Sequence, residues 1–328
     1  MEIVRYEFLF EAAQPIAHHS ESFGNTAVAM RRKIQLEDGS FVEIPIVTAD
    51  AMRHALREAS SFATLDAAGV LNDIALEEGA MRLLFSGGML TGKGDASAIK
   101  LDAYREMIDV VPALALFGGC AGNRAVPGRL NVDDATLVCE EYAHYLPAWV
   151  TAHLATKGRH LDTCRAHIEE VQRVRGDALL DPGKRHLLSP GARANAEDRL
   201  LASGEAHESG DEKAAASSKS TMMPRRFERI VQGSLLVWGL EATCYTPLDR
   251  DTLDTAAAAF LSMARVGGKK ATGHGLLRAV AAQKETLVSY TERTVEACSI
   301  SFRMGALFRA HVAERKDRLR AFLSTVDA

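Results

Sequence analysis

The sequence has 328 residues, 47% hydrophobic and 25% charged, enough apolar material for a sizeable core and more chain than one average domain uses. Its formal net charge of -4 excludes a global positive field, so any anion site must be local. The five cysteines, at 120, 139, 164, 244 and 298, form no C-x-x-C pair; their odd number argues against a disulfide scaffold and fits a reducing, cytoplasmic setting.

MEIVRYEFLFEAA has no basic start, long apolar core or cleavage site and does not read as a secretion signal. Within it, residues 2–10 alternate in character and predict a first strand. AHHSESFGNTAVAMRRKIQL then reads as a polar loop returning to a strand. FVEIPIV predicts another strand, with Asp38-Gly39 as the hairpin turn before it. TADAMRHALREASSF predicts a helix capped by Thr48 or Asp50, with Met52, Leu56 and Ala59 inward and Arg53 and Arg57 sharing one face. Residues 62–117 read as mostly helical, interrupted by SGGMLTGKGDAS. FGGCAGNRAVPGRLNVDDATLV (117–138) is a glycine-rich loop feeding a strand, and 139–180 are mixed in character.

The composition shifts at about 181–226, where Ala, Ser, Gly and charge replace large apolar residues. Such a stretch cannot bury enough surface to order itself and predicts a long mobile excursion. RFERIVQGSLLVWGLEATCY predicts one or two strands. DRDTLDTAAAAFLSMARV predicts a helix capped by Asp249 or Asp251. GLLRAVAAQKE predicts a strand, and SISFRMGALFRAHVAERKDRLRAFLSTV a closing amphipathic helix. The order suits an α+β fold built on a split βαβ, ferredoxin-like core with large insertions. The longest apolar stretch, near VVPALALF, is too short to span a membrane.

Several motifs bear on chemistry. MARVGGKKATGHGLL (263–277) puts Gly267, Gly268, Lys269, Lys270 and His274 on one loop. Glycines let backbone approach a phosphate, lysines add charge, and a histidine can donate to phosphate or sugar. A tight helix-to-strand connection with solvated lysines is the plainer reading. The order helix-loop-strand is the reverse of a dinucleotide fingerprint. GMLTGKGD resembles a P-loop but has Gly94 where Ser or Thr would ligate magnesium. His18-His19 could act as acid and base in RNA cleavage, or be a solvated loop. Cys164 and His167, three apart, are only two potential ligands, so no metal and no cofactor is expected.

Positive charge recurs at loops beside strands: Arg31-Arg32-Lys33, Arg53 and Arg57, Arg124 and Arg129, then Lys219, Arg225 and Arg226. A groove so lined would hold a nucleic-acid backbone. With only 6% aromatics and no RNP1-type strand, grip through phosphate and sugar is expected, with little base reading.

Three ordered segments carry a family resemblance. IPIVTADAMRHALRE resembles the "P-x-I-P-G-S-S-L-K-G-x-L-R" segment of the RAMP superfamily of CRISPR effector subunits. FGGCAGNRAVPGRLNVDDA resembles its "F-G … R-L-x-V-x-D-A" segment. RFERIVQGSLLVWGLEA followed by GGKKATGHG resembles its "E-x-V-x-x-G-x-x-F" strand and C-terminal glycine-rich loop. The chain is most similar to the backbone subunit, the Cas-seven type, in the type IV (Csf) branch, with type III as neighbour.

The resemblance implies an RRM-like palm (1–59, 117–180 and 227–328, the last with the C-terminal helix), a helical finger-like insertion at 60–116 and a protruding thumb at 181–226. It implies copies stacked along a guide RNA (crRNA) in a helical filament, with other effector subunits and a target paired to the guide, in antiviral or anti-plasmid defence. Asn25, Thr26, Arg31, Arg32, Arg53, Arg57, Arg124, Arg129, Lys219, Arg225, Arg226 and the glycine-loop residues would then contact RNA. Ala49-Asp50-Ala51 replaces the family's Gly-Ser-Ser, and Asp50 would repel phosphate. The type III branch cuts its target with an aspartate in the loop after the first strand. This chain has Asn25 and Thr26 near that position, so binding without cleavage is expected. The alternatives are a RAMP-type endoribonuclease using His18 or His19, and a protein holding a phosphorylated small molecule at the glycine loop.

Overall fold

A computed structural model describes residues 1–23, 25–88, 101–121, 124–173, 187, 189–192, 225–289, 292–298 and 302–325. The chain divides into two units, one of residues 1–18, 29–169 and 229–328 and one of 19–28 and 170–228. In chain order the elements are β1 (Glu2–Ala12), β2 (His19–Phe23), β3 (Thr26–Ala29), β4 (Arg31–Gln35), β5 (Phe41–Val47), α1 (Ala49–Ala67), α2 (Glu78–Ser86), α3 (Leu101–Val110) and α4 (Ala113–Phe117). Then come β6 (Gly119–Ala121), β7 (Arg124–Val126), β8 (Leu130–Val132), β9 (Ala135–Leu137), α5 (Ala148–Thr156), β10 (Ile168–Arg173), β11 (Arg225–Ile230) and β12 (Leu235–Cys244). The chain continues with α6 (Pro247–Ser262), β13 (Leu277–Ser289), β14 (Glu292–Ala297), α7 (Ala306–Glu314) and α8 (Lys316–Thr325).

The first unit is built on an eight-stranded sheet ordered β14-β13-β1-β12-β9-β5-β4, with β8 also pairing β12. Its neighbouring strands run antiparallel, so the fold is α+β. β1 sits inside it, and its alternation decides both faces. Val4, Tyr6, Phe8, Phe10 and Ala12 are buried in one core cluster, together with α1 and α6 residues such as Met52, Leu56 and Phe260. Phe10 lies tilted against Trp238 and meets Phe260 edge-on, with centroids 5.9 and 6.2 Å away. Leu9 turns to a second cluster with Val150 and Leu154 of α5 and Leu235 and Val237 of β12. Burial on both faces explains why LLVWGLEATC reads as a nearly continuous apolar run.

Helix starts differ in part from the expected caps. Thr48 caps α1, its hydroxyl accepting from the Ala51 amide, and the Ala49 amide donates to Asp134 at 2.7 Å; Asp50 lies inside the first turn. At α6 the cap is Thr246, not Asp249 or Asp251. Pro247 presets the first turn, Thr246 Oγ1 accepts from the Asp249 amide at 3.1 Å, and Asp249 accepts back from the Thr246 amide at 3.0 Å. The Asp38-Gly39 turn forms as expected, with Ser40 N and Oγ both donating to Asp38 Oδ1 and Gly39 at φ 84°.

The closing helix is two helices, broken at Arg315. That side chain turns to Asp109 of α3, which takes Arg315 Nε at 2.9 Å and Arg318 Nη1 at 2.7 Å. The polar stretch after β1, expected to be a loop, instead contains β2 and β3. In the second unit β3 runs parallel to β11, Thr26 opposite Arg226 and Ala27 opposite Phe227, in a sheet ordered β10-β11-β3-β2. The period there is short and polar, too weak a signal for sequence alone. Most of 181–226, Lys219 included, lies outside the described residues, as does most of GMLTGKGD.

Arg129 ties three elements of the first unit. Its Nε donates to the Ala115 carbonyl at 3.0 Å, and its two terminal nitrogens hold Asp249 bidentately at 2.9 and 2.7 Å. Burial works to raise the Asp249 pKa, but the Arg129 bonds and the Tyr245 and Thr246 amides outweigh it and hold it below the usual carboxylate range. Its contribution to stability is therefore present above the unfolded pKa, about 3.9, and is lost as pH falls through the lower folded value. Arg129→Ala should cost about 3 kcal/mol by urea denaturation at neutral pH, since it leaves a buried carboxylate unpaired. The variant should also lose part of the acid-induced destabilisation that the parent shows below about pH 4.

Candidate nucleic-acid interface

The glycine loop leaves α6 at Met263 and returns to β13 at Leu277. Its two sides are laddered: Val266 N donates to Gly275 O at 2.9 Å and Leu277 N to Ala264 O at 2.8 Å. It is also sewn to the segment after β1. Gly268 N donates to Ala17 O at 2.7 Å, Gly275 N to Pro15 O at 2.8 Å, and Gln14 N to Leu276 O at 3.2 Å. Two glycines are required, one by this seam and one by the loop's own ladder. A Cβ on Gly267, at φ +71°, would lie 2.7 Å from Ala17 O; one on Gly275, at φ +85°, would lie 2.0 Å from Val266 O.

The amide of Gly268 is thus spent on Ala17, so it does not join a phosphate nest. What the loop turns outward is its tip, 268–273, which is exposed. Lys269 stands there at φ 58°, the single non-glycine residue with positive φ among the described residues. A left-handed lysine costs about 1 kcal/mol or more, and such strain concentrates at functional positions. Lys270 follows, with Glu58 3.9 Å away at the surface.

His274 is buried beneath the tip at 1% exposure. Arg229 Nη1 donates to its Nε2 at 3.2 Å, which leaves Nδ1 to carry the proton toward Thr272 O at 3.0 Å. Arg229 is itself held by Glu169 at 2.6 Å. His274 therefore supports the loop from below, with its ring turned away from solvent.

The arginines fall into separate groups. Arg53 donates to Leu130 O at 2.6 Å and Phe117 O at 2.7 Å; Arg57 donates to Phe117 O and Gly118 O, each at 3.0 Å. Burial, then the Arg53 charge, pushes the Arg57 pKa down to about 10, so it stays cationic at neutral pH. Arg129 belongs to the Asp249 clamp. Arg32 donates to Asp134 at 2.9 Å and to Thr136 at 3.3 Å. Arg31 begins β4 beside it, and Arg124 begins β7. In the second unit, Asn25 O accepts from the Arg226 amide at 2.9 Å, and exposed Arg225 lies next to it. This brings Asn25, Thr26, Arg225 and Arg226 to one place, with Glu170 3.6 Å from Arg226.

The histidine pair is occupied locally. The Thr48 amide donates to His18 Nε2 at 3.3 Å, with Thr48 Oγ1 at 3.1 Å; His19 Nε2 lies 2.9 Å from the Glu228 carbonyl. Among the described residues no group of three or more His, Cys, Asp or Glu is placed to hold a metal ion, and no helix is long and apolar enough to cross a membrane. The sequence reading missed a cationic group at His153, Lys157, Arg159 and Arg278. Its signal, four basic or titratable residues in HLATKGRH, was diluted across a stretch of mixed character, and Arg278 joins only through strand register.

No family model matches the chain, and no curated protein matches it. Among solved structures it is similar to a chain of a structure titled "Type IV-B CRISPR Complex", with TM-score 0.51 and 17% identity, over 90% of this chain and 96% of that one. At that identity the likeness is one of fold.

Two substitutions test the loop. Gly275→Ala should destabilise the protein by about 1–3 kcal/mol in urea titrations, through strain and the Val266 clash. Lys269→Gly should leave stability unchanged or raise it by up to about 1 kcal/mol, because it releases the left-handed strain. A neutral Gly275→Ala would contradict the described anchoring.

Proposed function

We propose that this chain is a guide-RNA-binding backbone subunit of a CRISPR effector ribonucleoprotein, of the RAMP superfamily's Cas-seven type and its type IV branch. The observation that carries the proposal is the fold shared with a chain of the Type IV-B CRISPR complex across 90% of this sequence. The sheet order supports it: β13-β1-β12-β9, antiparallel throughout, with α1 and α6 contributing to one buried core, is the order of a split βαβ palm of the RRM or ferredoxin-like kind. On this reading 60–116 is the finger and 181–226 the thumb.

The strained, exposed tip of the glycine loop grips guide phosphates through Lys269 and Lys270. Arg31 and the Asn25, Thr26, Arg225, Arg226 group add further contacts. Arg53, Arg57 and Arg129, engaged with protein carbonyls and a carboxylate, shape the palm that presents them. Further copies stack along the guide, other effector subunits join, and pairing supplies target specificity. The chain holds nucleic acid without cutting it. The bonds made by His18 and His19 to Thr48 and Glu228 favour structural roles for both rings over acid–base cleavage.

The protein isolated from its native operon should carry RNA of defined length in a particle many times the mass of one chain, read by absorbance ratio, extraction and light scattering. The double variant Lys269→Ala, Lys270→Ala should weaken RNA binding and lower the slope of log affinity against log salt by about 1.4, since each phosphate contact on a single strand contributes about 0.7. A clean monomer that ignores added guide RNA would sink the proposal, as would RNA cleavage abolished by His18→Ala or His19→Ala.

A further inference from the structure

On the sheet face opposite α1 and α6, covered by α5, cations gather where α5 ends. Lys157 closes that helix, Gly158 turns the chain at φ 61°, and Arg159 and His160 follow, with His153 one turn back. Strand register adds a third source, β13. Glu11 of β1 sits opposite Arg278 of β13, on the side that Leu9 also faces. Glu11 Oε1 accepts from Arg278 at 2.9 Å, and its Oε2 lies 3.8 Å from Arg159.

One half-buried carboxylate thus orients two guanidiniums and leaves most of their donors unspent. Arg278 is 65% exposed and Arg159 47%. Among the described residues Lys157 makes no ion pair. Lys157, Arg159 and Arg278 against Glu11 give a surplus of two positive charges before either histidine is counted. Glu11, His153, Lys157 and Arg159 border a cavity of about 330 Å³ floored by Leu235, Ala279 and Val280, and Arg278 reaches its edge only through its bond to Glu11.

Lys157 and His153 also suit the negative end of the α5 dipole, which is the plainer account of those two. It does not account for Arg159 and Arg278, which lie beyond that helix and on a strand. In a chain of net charge -4, a fixed local excess of this kind is a site for an anion. Guanidinium forks match phosphate oxygens, and the apolar floor suits a sugar. The cations come from α5, the turn after it and β13, an arrangement that follows a backbone better than it encloses a single ion.

We propose that His153, Lys157, Arg159 and Arg278 form a second phosphodiester site, on the opposite sheet face from the palm helices, for a single-stranded nucleic acid. It is independent of the glycine loop, although the two are joined in the chain by Leu277. RNA and DNA share the chemistry that this site reads.

The test is fluorescence anisotropy with labelled single-stranded RNA and, separately, single-stranded DNA of the same sequence, over a range of salt. The full chain is compared with Lys157→Ala, Arg159→Ala; with Arg278→Ala; with Lys269→Ala, Lys270→Ala; and with Lys316→Ala on α8 as a charge control. The first double variant is expected to weaken binding to at least one strand and to lower its salt slope by about 1.4, with Arg278→Ala lowering it by about 0.7. The control should match the parent.

Loss on RNA alone assigns the patch to an RNA strand, and loss on DNA alone to a DNA strand. Patch variants indistinguishable from the parent on both strands overturn the inference, even if the glycine-loop variant is impaired. Impairment of the patch variants alone supports it and counts against the glycine loop. A parent protein that binds neither strand overturns both.

Discussion

The pairing of β1 with β12 on one side and β13 on the other is the constraint on which the first unit depends. Side chains alternate across a sheet, so a slip of one residue would send Phe8 and Phe10 to the α5 face and Leu9 to α1 and α6. The register with β13 shifts between Leu9 and Phe10, a local irregularity that lets Phe10 face Ala279 and Glu11 face Arg278. From that point the strand end is determined. Ala12 meets Leu277, so the glycine loop arriving from α6 must end there. The position of the loop and the position of Arg278 are consequences of one pairing.

Much of this was readable from residues. β1 and the main helices were legible because their periods are long and their apolar residues large. The Asp38-Gly39 hairpin was legible because its turn chemistry is local. The cap of α6 was not, since an aspartate near a helix start is normally a cap. Here Arg129, over a hundred positions away, claims the Asp249 carboxylate, and Thr246 takes the capping position. β2 and β3 are not legible in the sequence, because strands this short and polar owe their pairing to partners far along the chain.

The site was legible in composition but not in function of each cation. A sequence shows that Arg53, Arg57 and Lys269 are all positive. It does not show that the first two face carbonyls while the third stands on strained, exposed backbone. Arginine suits the inner role because its fork satisfies two carbonyls at once, while lysine carries a single charge on a flexible stem. The arginines differ among themselves as well: Arg129 is spent on Asp249, whereas Arg278 touches one carboxylate and is 65% exposed.

The boundary between the two units crosses the chain four times, and the first unit closes both excursions itself. Met30 N donates to His18 O at 2.7 Å, joining the ends of the 19–28 segment, and Val231 N donates to His167 O at 2.9 Å near the ends of 170–228. Because bonds of the first unit already fix those ends, a change of length between them leaves the pairing of that unit's sheet unaltered. That segment can therefore gain or lose residues over evolutionary time with little effect on the stability of the sheet that carries it.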